Sequence, residues 1–535
     1  MSAKVSTTTR HARYVTNGNP KHKTLAGPHF PIRPGDHPVA DMVPPSSADS
    51  ARTTNEFAFD VLVVDLDGSL VATDLLVEAG LTAVKKNPLR LAKLIPSLRH
   101  GPSLLKSGLA EFVMPDVSQL PYRPEVLELI DQAKLAGIPV VLATASPRRW
   151  ASAVAEHLGV FQSVLATDAN CNLKGDTKRR AIESLCAAEG WKLYAYVGDS
   201  RVDLRIWNGA SQAFVVGAAP LTNRARQVCA SVTSLDTPRP GLRTFARALR
   251  MHQWLKNVLL FVPLILAHSL VLEKSLSAVV AFFCWSLCAS GVYLVNDLLD
   301  IDADRQHPKK RRRAFAAGTL PVAWGPIMAG GLFATSIVSA AVIMPKVFTI
   351  SLLGYVAATF LYSVWLKQLM VIDVVVLAGL YVIRILAGGL ATGTPVSEWL
   401  LTMSMFMFLS LAFVKRYSEL ARLSDQGADN APGRSYLVQD LATIESVGPC
   451  SGYLSVLVLA MYINSPAMQE RYANAWALWL MCPLVLYWIT RVWFLARRRQ
   501  LNEDPIVFAI RDRVSRVVLA GVAIFMVIAV GLPQR

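Results

Sequence analysis

Tyr293-Leu294-Val295-Asn296-Asp297-Leu298-Leu299-Asp300-Ile301-Asp302-Ala303-Asp304-Arg305 closes an apolar run that starts near residue 275. The run is long enough to cross a bilayer as a helix, which takes ~20 residues. Asn296, Asp297, Asp300 and Asp304 stand at i, i+1, i+4 and i+8, so on a helix they share one face, with Asp302 off it. Carboxylates at a membrane-level helix end are costly unless paired or metal-bound. Mg2+ prefers carboxylate oxygens and keeps substrate phosphates in its shell. The spacing therefore predicts a Mg2+–diphosphate site. The competing expectation is a solvated loop whose charge is balanced by Arg305 and Lys309–Arg313.

Nine apolar runs of spanning length surround that motif, at about 254–272, 275–296, 322–344, 347–365, 371–392, 398–414, 447–464, 474–495 and 515–532. Hydrophobic residues make up 53% of the 535 and charged residues 17%; a soluble chain carries roughly 45–50% and 25%. Basic loops at 243–256, 305–313, 415–434 and 497–516 all fall on one side of a nine-span bundle, which the positive-inside rule makes cytoplasmic. The C-terminus then lies outside. That rule also absorbs much of the net charge of +16. Nucleic-acid binding is not expected, because the cations adjoin spans and form no recognition helix. The seven cysteines have no CxxC pair, so neither a disulfide framework nor a zinc site is expected; Cys284 and Cys288 share a helix face as packing residues.

Upstream, the composition is different. Residues 1–55 form a Ser-, Pro- and Arg-rich basic tail without an apolar signal segment. Residues 56–235 alternate short apolar strands (59–65, 138–144, 193–199, 212–216) with helical patterns, which predicts parallel pairing. A helical insertion at about 74–120 reads as a cap, and 236–250 as a linker to the membrane domain at 251–535. The fold class expected is an α/β Rossmann-like domain with a small helical cap, followed by an all-α transmembrane bundle of about nine helices.

Asp65 and Asp67, at i and i+2, end the first strand, which is where open α/β sheets bind ligands. Thr144 ends the second strand, Lys174 lies in a following loop, and Asp199 and Asp203 follow the third. Taken in order, this set resembles the four signature motifs of haloacid-dehalogenase-type phosphatases. The resemblance implies Asp65 as nucleophile and Asp67 as general acid and base. It implies Mg2+ held by Asp65, the Asp67 carbonyl, Asp199 and Asp203, with Thr144 and Lys174 on the phosphoryl oxygens. Lys178 is a second candidate for the lysine. Ser69 stands where Thr or Val is commoner. A degenerate, non-catalytic domain is the alternative.

The NDxxDxxxD pattern on such a bundle resembles the UbiA superfamily of intramembrane transferases. The continuation Asp304-Arg305-Gln306-His307-Pro308-Lys309-Lys310-Arg311-Arg312-Arg313, then Ala316-Ala317-Gly318, looks like the decaprenyl-phosphate phosphoribosyltransferases within it. So do Gln253–Asn257, Tyr362 and Lys367, Asp373, Arg384 with Gly388-Gly389, Lys415-Arg416 with Glu419, and Asp504-Pro505-Ile506 ahead of Asp512. The usual second Asp-rich motif is not clear; Asp425, Asp429 and Asp440 occupy its loop without the spacing. The resemblance implies transfer of 5-phosphoribose from phosphoribosyl diphosphate to a polyprenyl phosphate, with Mg2+ on Asp297, Asp300 and Asp304. Lys256, Asn296, Arg305, Lys309, Arg311, Tyr362, Lys367, Arg384, Lys415 and Arg416 are the candidate substrate contacts. The phosphatase-like domain would then remove the product's 5-phosphate. The alternative is a prenyl chain moved from a prenyl diphosphate to an aromatic or quinone-precursor acceptor, with the phosphatase acting on a separate ester.

Overall fold

The computed structural model describes residues 57–94, 96, 102–168, 171–235, 240–427, 434–501 and 505–531. The expected tail at 1–55, Asp429 and Asp504 lie outside the described residues.

Val61–Val64 (β1) is four apolar residues, all buried. Leu62 and Val64 pack into one core and Val61 and Val63 into another, as expected of a strand covered on both faces. Around it lie Val140–Pro147 (β2), Ser163–Thr167 (β3), Tyr194–Gly198 (β4), Gln212–Val216 (β5) and Ser231–Leu235 (β6). All pair in parallel, in the order β3-β2-β1-β4-β5-β6. The order reverses direction beside β1, so a crevice opens between the carboxyl ends of β1 and β4. Two strands escaped the sequence reading. β3 and β6, SVLAT and SVTSL, are the sheet's partly exposed edge strands and lack a continuous apolar signal.

The insertion after β1 is helical at Leu75–Lys86, Pro88–Leu94 and Pro102–Phe112. The first of these, the cap helix, is N-capped by Asp74, whose carboxylate accepts from Leu76 N at 2.9 Å and Val77 N at 3.1 Å. Its last turn carries Lys85 and Lys86, which suits the negative end of the helix dipole.

Among the described residues beyond 250, eight helices are long and apolar enough to span: Leu272–Leu299, Trp324–Ile343, Lys346–Val364, Ile372–Thr392, Glu398–Asp425, Val438–Ile463, Trp476–Arg497 and Arg513–Val530. The first expected span is a shorter element. Met251–Phe261 winds as a tight 3₁₀ helix and Val262–Leu266 as one α turn begun by Pro263. Gly388 lets the Ile372–Thr392 helix press against this segment: a Cβ there would stand 2.0 Å from the Leu260 carbonyl oxygen. All seven cysteines are free, and Cys284 and Cys288 are buried.

The aspartate-bearing helix does not run straight through its motif. It ends at Leu299; Asp300 takes φ −105°, ψ 13°, and a short helix follows at Ile301–Gln306. The single face expected for four residues therefore splits. Asp297 and Asp304 still meet, both on Arg313, while Asp300 turns elsewhere.

The cap helix packs on this region. Val77 and Leu81 lie against the cluster of Leu294, Leu298, Ile301 and Phe315. Glu78 takes a bidentate ion pair from Arg305, at 2.9 and 2.5 Å, with both side chains buried. Gly318, at φ +66°, passes so close to Ala72 that a Cβ would stand 2.7 Å from the alanine side chain.

Candidate active sites

The α/β crevice is built by three strand ends. Asp65 follows β1, and its Oδ1 accepts from Lys178 Nζ at 2.7 Å. Lys178 stands in the first turn of the Asp176–Glu189 helix, is buried, and also reaches the Tyr196 hydroxyl at 3.1 Å. That hydroxyl donates to Asp203 Oδ1 at 3.1 Å. Asp65, Asp199 and Asp203 each offer a carboxylate oxygen within 4.8 Å of the others, among the described residues the one such group of three acids. Burial, with the charges of Asp65 and Asp203, pushes Asp199 well above the usual carboxylate range. Burial opposes the Lys178 ammonium, but Asp65 and Asp203 outweigh it and raise its pKa. Three carboxylates crowded this closely fit a hard divalent cation.

Asp67 faces away from that cluster. Its Oδ1 accepts from Leu75 N at 2.9 Å and its Oδ2 from Ser146 Oγ at 2.5 Å. Burial lifts its carboxyl to about 7, the charge of Asp74 adding to the effect and the Ser146 hydrogen bond opposing it. A carboxyl poised there can deliver and recover a proton near neutral pH. Only its backbone carbonyl is left for a metal. Gly68, at φ +77°, makes the turn possible, since a Cβ would meet Asp199 Oδ2 at 2.0 Å. Ser69 is fully buried.

The second site is a cavity of about 770 Å³ at the end of the bundle. Ten of its lining residues are Lys or Arg and two, Asp297 and Asp300, are Asp. Asp297 pairs with Arg250 and, at 3.0 Å, with Arg313. Asp300 is met by Lys85 of the cap helix at 2.6 Å. Burial works against the Asp300 carboxylate, but the hydrogen bond and charge of Lys85 outweigh it, so its pKa falls below the usual range. Three of the expected basic loops reach this cavity, through Arg250, Lys310 with Arg313, and Lys415 with Arg434. The fourth joins the same end through Arg499, 3.1 Å from Asp425. Ligand cavities of this size are ordinary; a lining with so many cations creates a positive potential that suits a polyanion.

Residues 258–526 match the model of the UbiA prenyltransferase family, half of the chain. The chain belongs to that family. Residues 62–206 match the model of the haloacid dehalogenase-like hydrolases, so a HAD-like domain precedes the UbiA domain. Uncharacterized protein y4nM of Sinorhizobium fredii is 34% identical over 474 residues, 88% of this chain and 90% of that protein. Decaprenyl-phosphate phosphoribosyltransferase of Mycobacterium tuberculosis is 38% identical over 187 residues, 34% of this chain and 62% of that one. The chain thus matches less than two thirds of that transferase's length. A UbiA homolog from Archaeoglobus fulgidus, solved with GPP and Mg2+, is 18% identical with a TM-score of 0.41, covering 53% of this chain and 100% of that one. A UbiA transferase domain and a HAD hydrolase domain make the chain an enzyme, and the spanning helices make it an integral membrane protein.

In the HAD-like site the structure brings together Asp65, Asp199 and Asp203, with Asp67 alongside on Ser146. Thr144, expected to end the second strand, is buried within β2, which runs on to Pro147, and its Oγ1 accepts from Ser146 N at 2.9 Å. The lysine needs correcting. Lys174 is exposed, and Lys178 is the one on Asp65, because Gly175 at φ +60° starts the helix and turns its first-turn lysine toward β1. Sequence reasoning missed Ser146, Arg123, which donates to the Gly68 carbonyl at 2.9 Å, and Lys106 of the cap, which reaches the Ala145 carbonyl at 2.7 Å.

In the UbiA cavity, Lys256, Asn296, Asp297, Asp300, Tyr362, Lys367, Arg384 and Lys415 line the wall as expected. Others do not. Arg305 is spent on Glu78 and the Ala316 carbonyl. Arg416 is buried on Asp373 at 2.6 Å, with Glu419 and the Tyr362 hydroxyl as its other partners. Arg311 is exposed outside the cavity, and Asp304 sits behind Arg313. Lys309 lines an adjoining cavity of about 330 Å³ that shares Arg250, Asp297 and Arg313. The residues missed were Arg250, Arg313, Arg434, Lys310 and, from the other domain, Lys85 and Lys86.

Proposed function

We propose that the UbiA domain transfers 5-phosphoribose from phosphoribosyl diphosphate to a polyprenyl phosphate, and that the HAD-like domain removes the 5-phosphate from that product. The observation that carries the reading is the lining of the membrane cavity, ten cations against two carboxylates. A prenyl diphosphate with an aromatic acceptor brings one diphosphate. Phosphoribosyl diphosphate with a lipid phosphate brings a diphosphate and two further phosphates, which a lining so rich in cations suits better. The partial likeness to a decaprenyl-phosphate phosphoribosyltransferase supports the same reading.

The chemistry follows from charge. An oxygen of the lipid phosphate attacks the anomeric carbon; the bond from that carbon to the diphosphate breaks, and diphosphate leaves with the electron pair. The nucleophile is already an anion and needs no strong base. What must be overcome is the repulsion between two phosphate-bearing substrates. Arg313, Lys256 and Lys367, all in the lining, would hold phosphoryl oxygens; Arg384, expected in that role, is taken up by Asn257, the Leu380 carbonyl and the Tyr355 hydroxyl. Asp297 and Asp300, both in the lining, are a sufficient carboxylate set for Mg2+, which takes one or two carboxylates and completes its shell with substrate phosphate and water. A bound Mg2+ would neutralise charge on the departing diphosphate. The third aspartate, Asp304, is better placed to orient Arg313.

In the HAD-like site, Asp65 attacks phosphorus while Asp67 gives its proton to the leaving ribose oxygen; a water deprotonated by Asp67 then frees the phosphate. Asp65, Asp199, Asp203 and the Asp67 carbonyl would hold the cation that makes an anion's attack on a phosphate dianion feasible. Both sites would then face the cytoplasm, the side to which the positive-inside rule assigns basic loops such as those collected at the cavity's end.

The test uses purified protein in detergent with Mg2+, labelled phosphoribosyl diphosphate and a polyprenyl phosphate. Label should enter the lipid with wild type and not with Asp297→Asn. The labelled lipid should keep its 5-phosphate only in Asp65→Asn. A wild-type product that retains the 5-phosphate would detach the HAD-like domain from this substrate.

A further inference from the structure

The cap helix touches both sites at once. At its start, Leu75 N donates to Asp67 in the HAD-like crevice. At its end, Lys85 Nζ bonds the Leu299 carbonyl at 3.0 Å and Asp300 Oδ1 at 2.6 Å, inside the lining of the UbiA cavity, and Lys86 lines the same wall. Between the ends, Glu78 is locked to Arg305, and Val77 and Leu81 are packed on the membrane half. A helix fixed at three points along its length presents Lys85 in a defined place. The Lys85 side chain still keeps 43% of its surface, so a ligand can reach it.

We propose that the HAD-like domain completes the transferase site, with Lys85 as a contact for the phosphoryl oxygens of the diphosphate-bearing substrate. This rests on the reading of the UbiA cavity as a diphosphate site, and deepens it by assigning one of its cations to the other domain. Asp300 holds the ammonium at the cavity mouth. When the counterion of a bound diphosphate takes the carboxylates, Lys85 is within the lining to pair with the anion instead. The transferase would then bind its substrate in full only with the cap helix docked.

The experiment is titration of inorganic diphosphate with Mg2+ into the full-length protein in detergent, for wild type, Lys85→Ala and Lys85→Arg. Lys85→Ala should bind roughly tenfold more weakly, the size expected for one charge-assisted contact, and Lys85→Arg should recover most of the loss. In turnover, Lys85→Ala should raise KM for the diphosphate substrate more than it lowers kcat. Since Lys85 is half-exposed, an unchanged melting temperature checks that the variant is folded. Equal affinity in wild type and Lys85→Ala overturns this proposal alone. A wild type that binds no diphosphate overturns it together with the transferase reading. Weakened binding in Lys85→Ala, in a protein that transfers no ribose, would leave this proposal standing and remove only the ribose donor.

Discussion

Asp65, Asp199 and Asp203 crowd within 4.8 Å of one another beside a single lysine, whereas Asp297, Asp300 and Asp304 are divided among Arg250, Arg313 and Lys85. Both sets were expected to hold Mg2+. In the HAD-like domain the acids are a cradle already formed, and their mutual repulsion is the force that would draw a cation in. In the UbiA domain the protein has supplied its own cations, and what the chamber lacks is anions. On the proposed reading, the first site would bind a metal and then a phosphate, and the second a highly charged anion that arrives with its metal.

That contrast can be broken at several points. The largest effect should come from Asp65→Asn, which removes the proposed nucleophile and should lower phosphate-ester hydrolysis on the order of 10⁴-fold or more while leaving transfer to lipid intact, as read by phosphate release and lipid label in the same preparation. Loss of both activities would mean the two sites are not separable. Asp297→Asn should do the reverse, cutting lipid transfer by roughly 10²–10³-fold, the scale of one lost electrostatic stabiliser, with hydrolysis preserved. Next is the joint between the domains. Glu78→Ala strands Arg305 in a buried place, and breaking a buried pair costs about 3–5 kcal/mol; thermal unfolding in detergent should register it, and Glu78→Leu with Arg305→Met should recover much of the loss.

The smallest effect lies at a residue outside the linings of both cavities. Asp512 caps the Arg513–Val530 helix, accepting from Ser515 N at 2.8 Å and from Arg491 at 2.7 and 3.1 Å. Burial alone would raise its carboxyl, but Arg491 and Ser515 hold it below the usual range. Its contribution is therefore complete above the ordinary carboxylate pKa and disappears as pH falls through the lowered folded value. Asp512→Ala should cost about 1 kcal/mol at neutral pH, and the difference from wild type should vanish in acid.

What the sequence made legible, it made legible through local order. Asp65, Asp67, Asp199 and Asp203 follow buried strands, and strand ends in a parallel sheet converge without further information. The spans were readable because the bilayer fixes their length. The failures have physical causes of their own. Lys174 and Lys178 lie within one turn of each other, and only the positive φ of Gly175 decides which faces β1. Arg305 and Arg416 adjoin motif positions, yet each is taken up by a partner remote in the chain, Glu78 and Asp373. Lys85 was invisible for the same reason reversed: nothing local ties a cap lysine to a membrane cavity, and only the docked fold brings it there.

On the reading proposed above, the UbiA cavity takes a phosphoribosyl diphosphate. The most direct measurement offers wild-type protein, with Mg2+ and a polyprenyl phosphate, labelled phosphoribosyl diphosphate in competition with a labelled prenyl diphosphate and an aromatic acceptor, and follows which label reaches the product lipid. The prediction is ribose label in the polyprenyl phosphate, lost in Asp297→Asn, with no prenyl chain moved. Prenylated aromatic product without ribose transfer would contradict it.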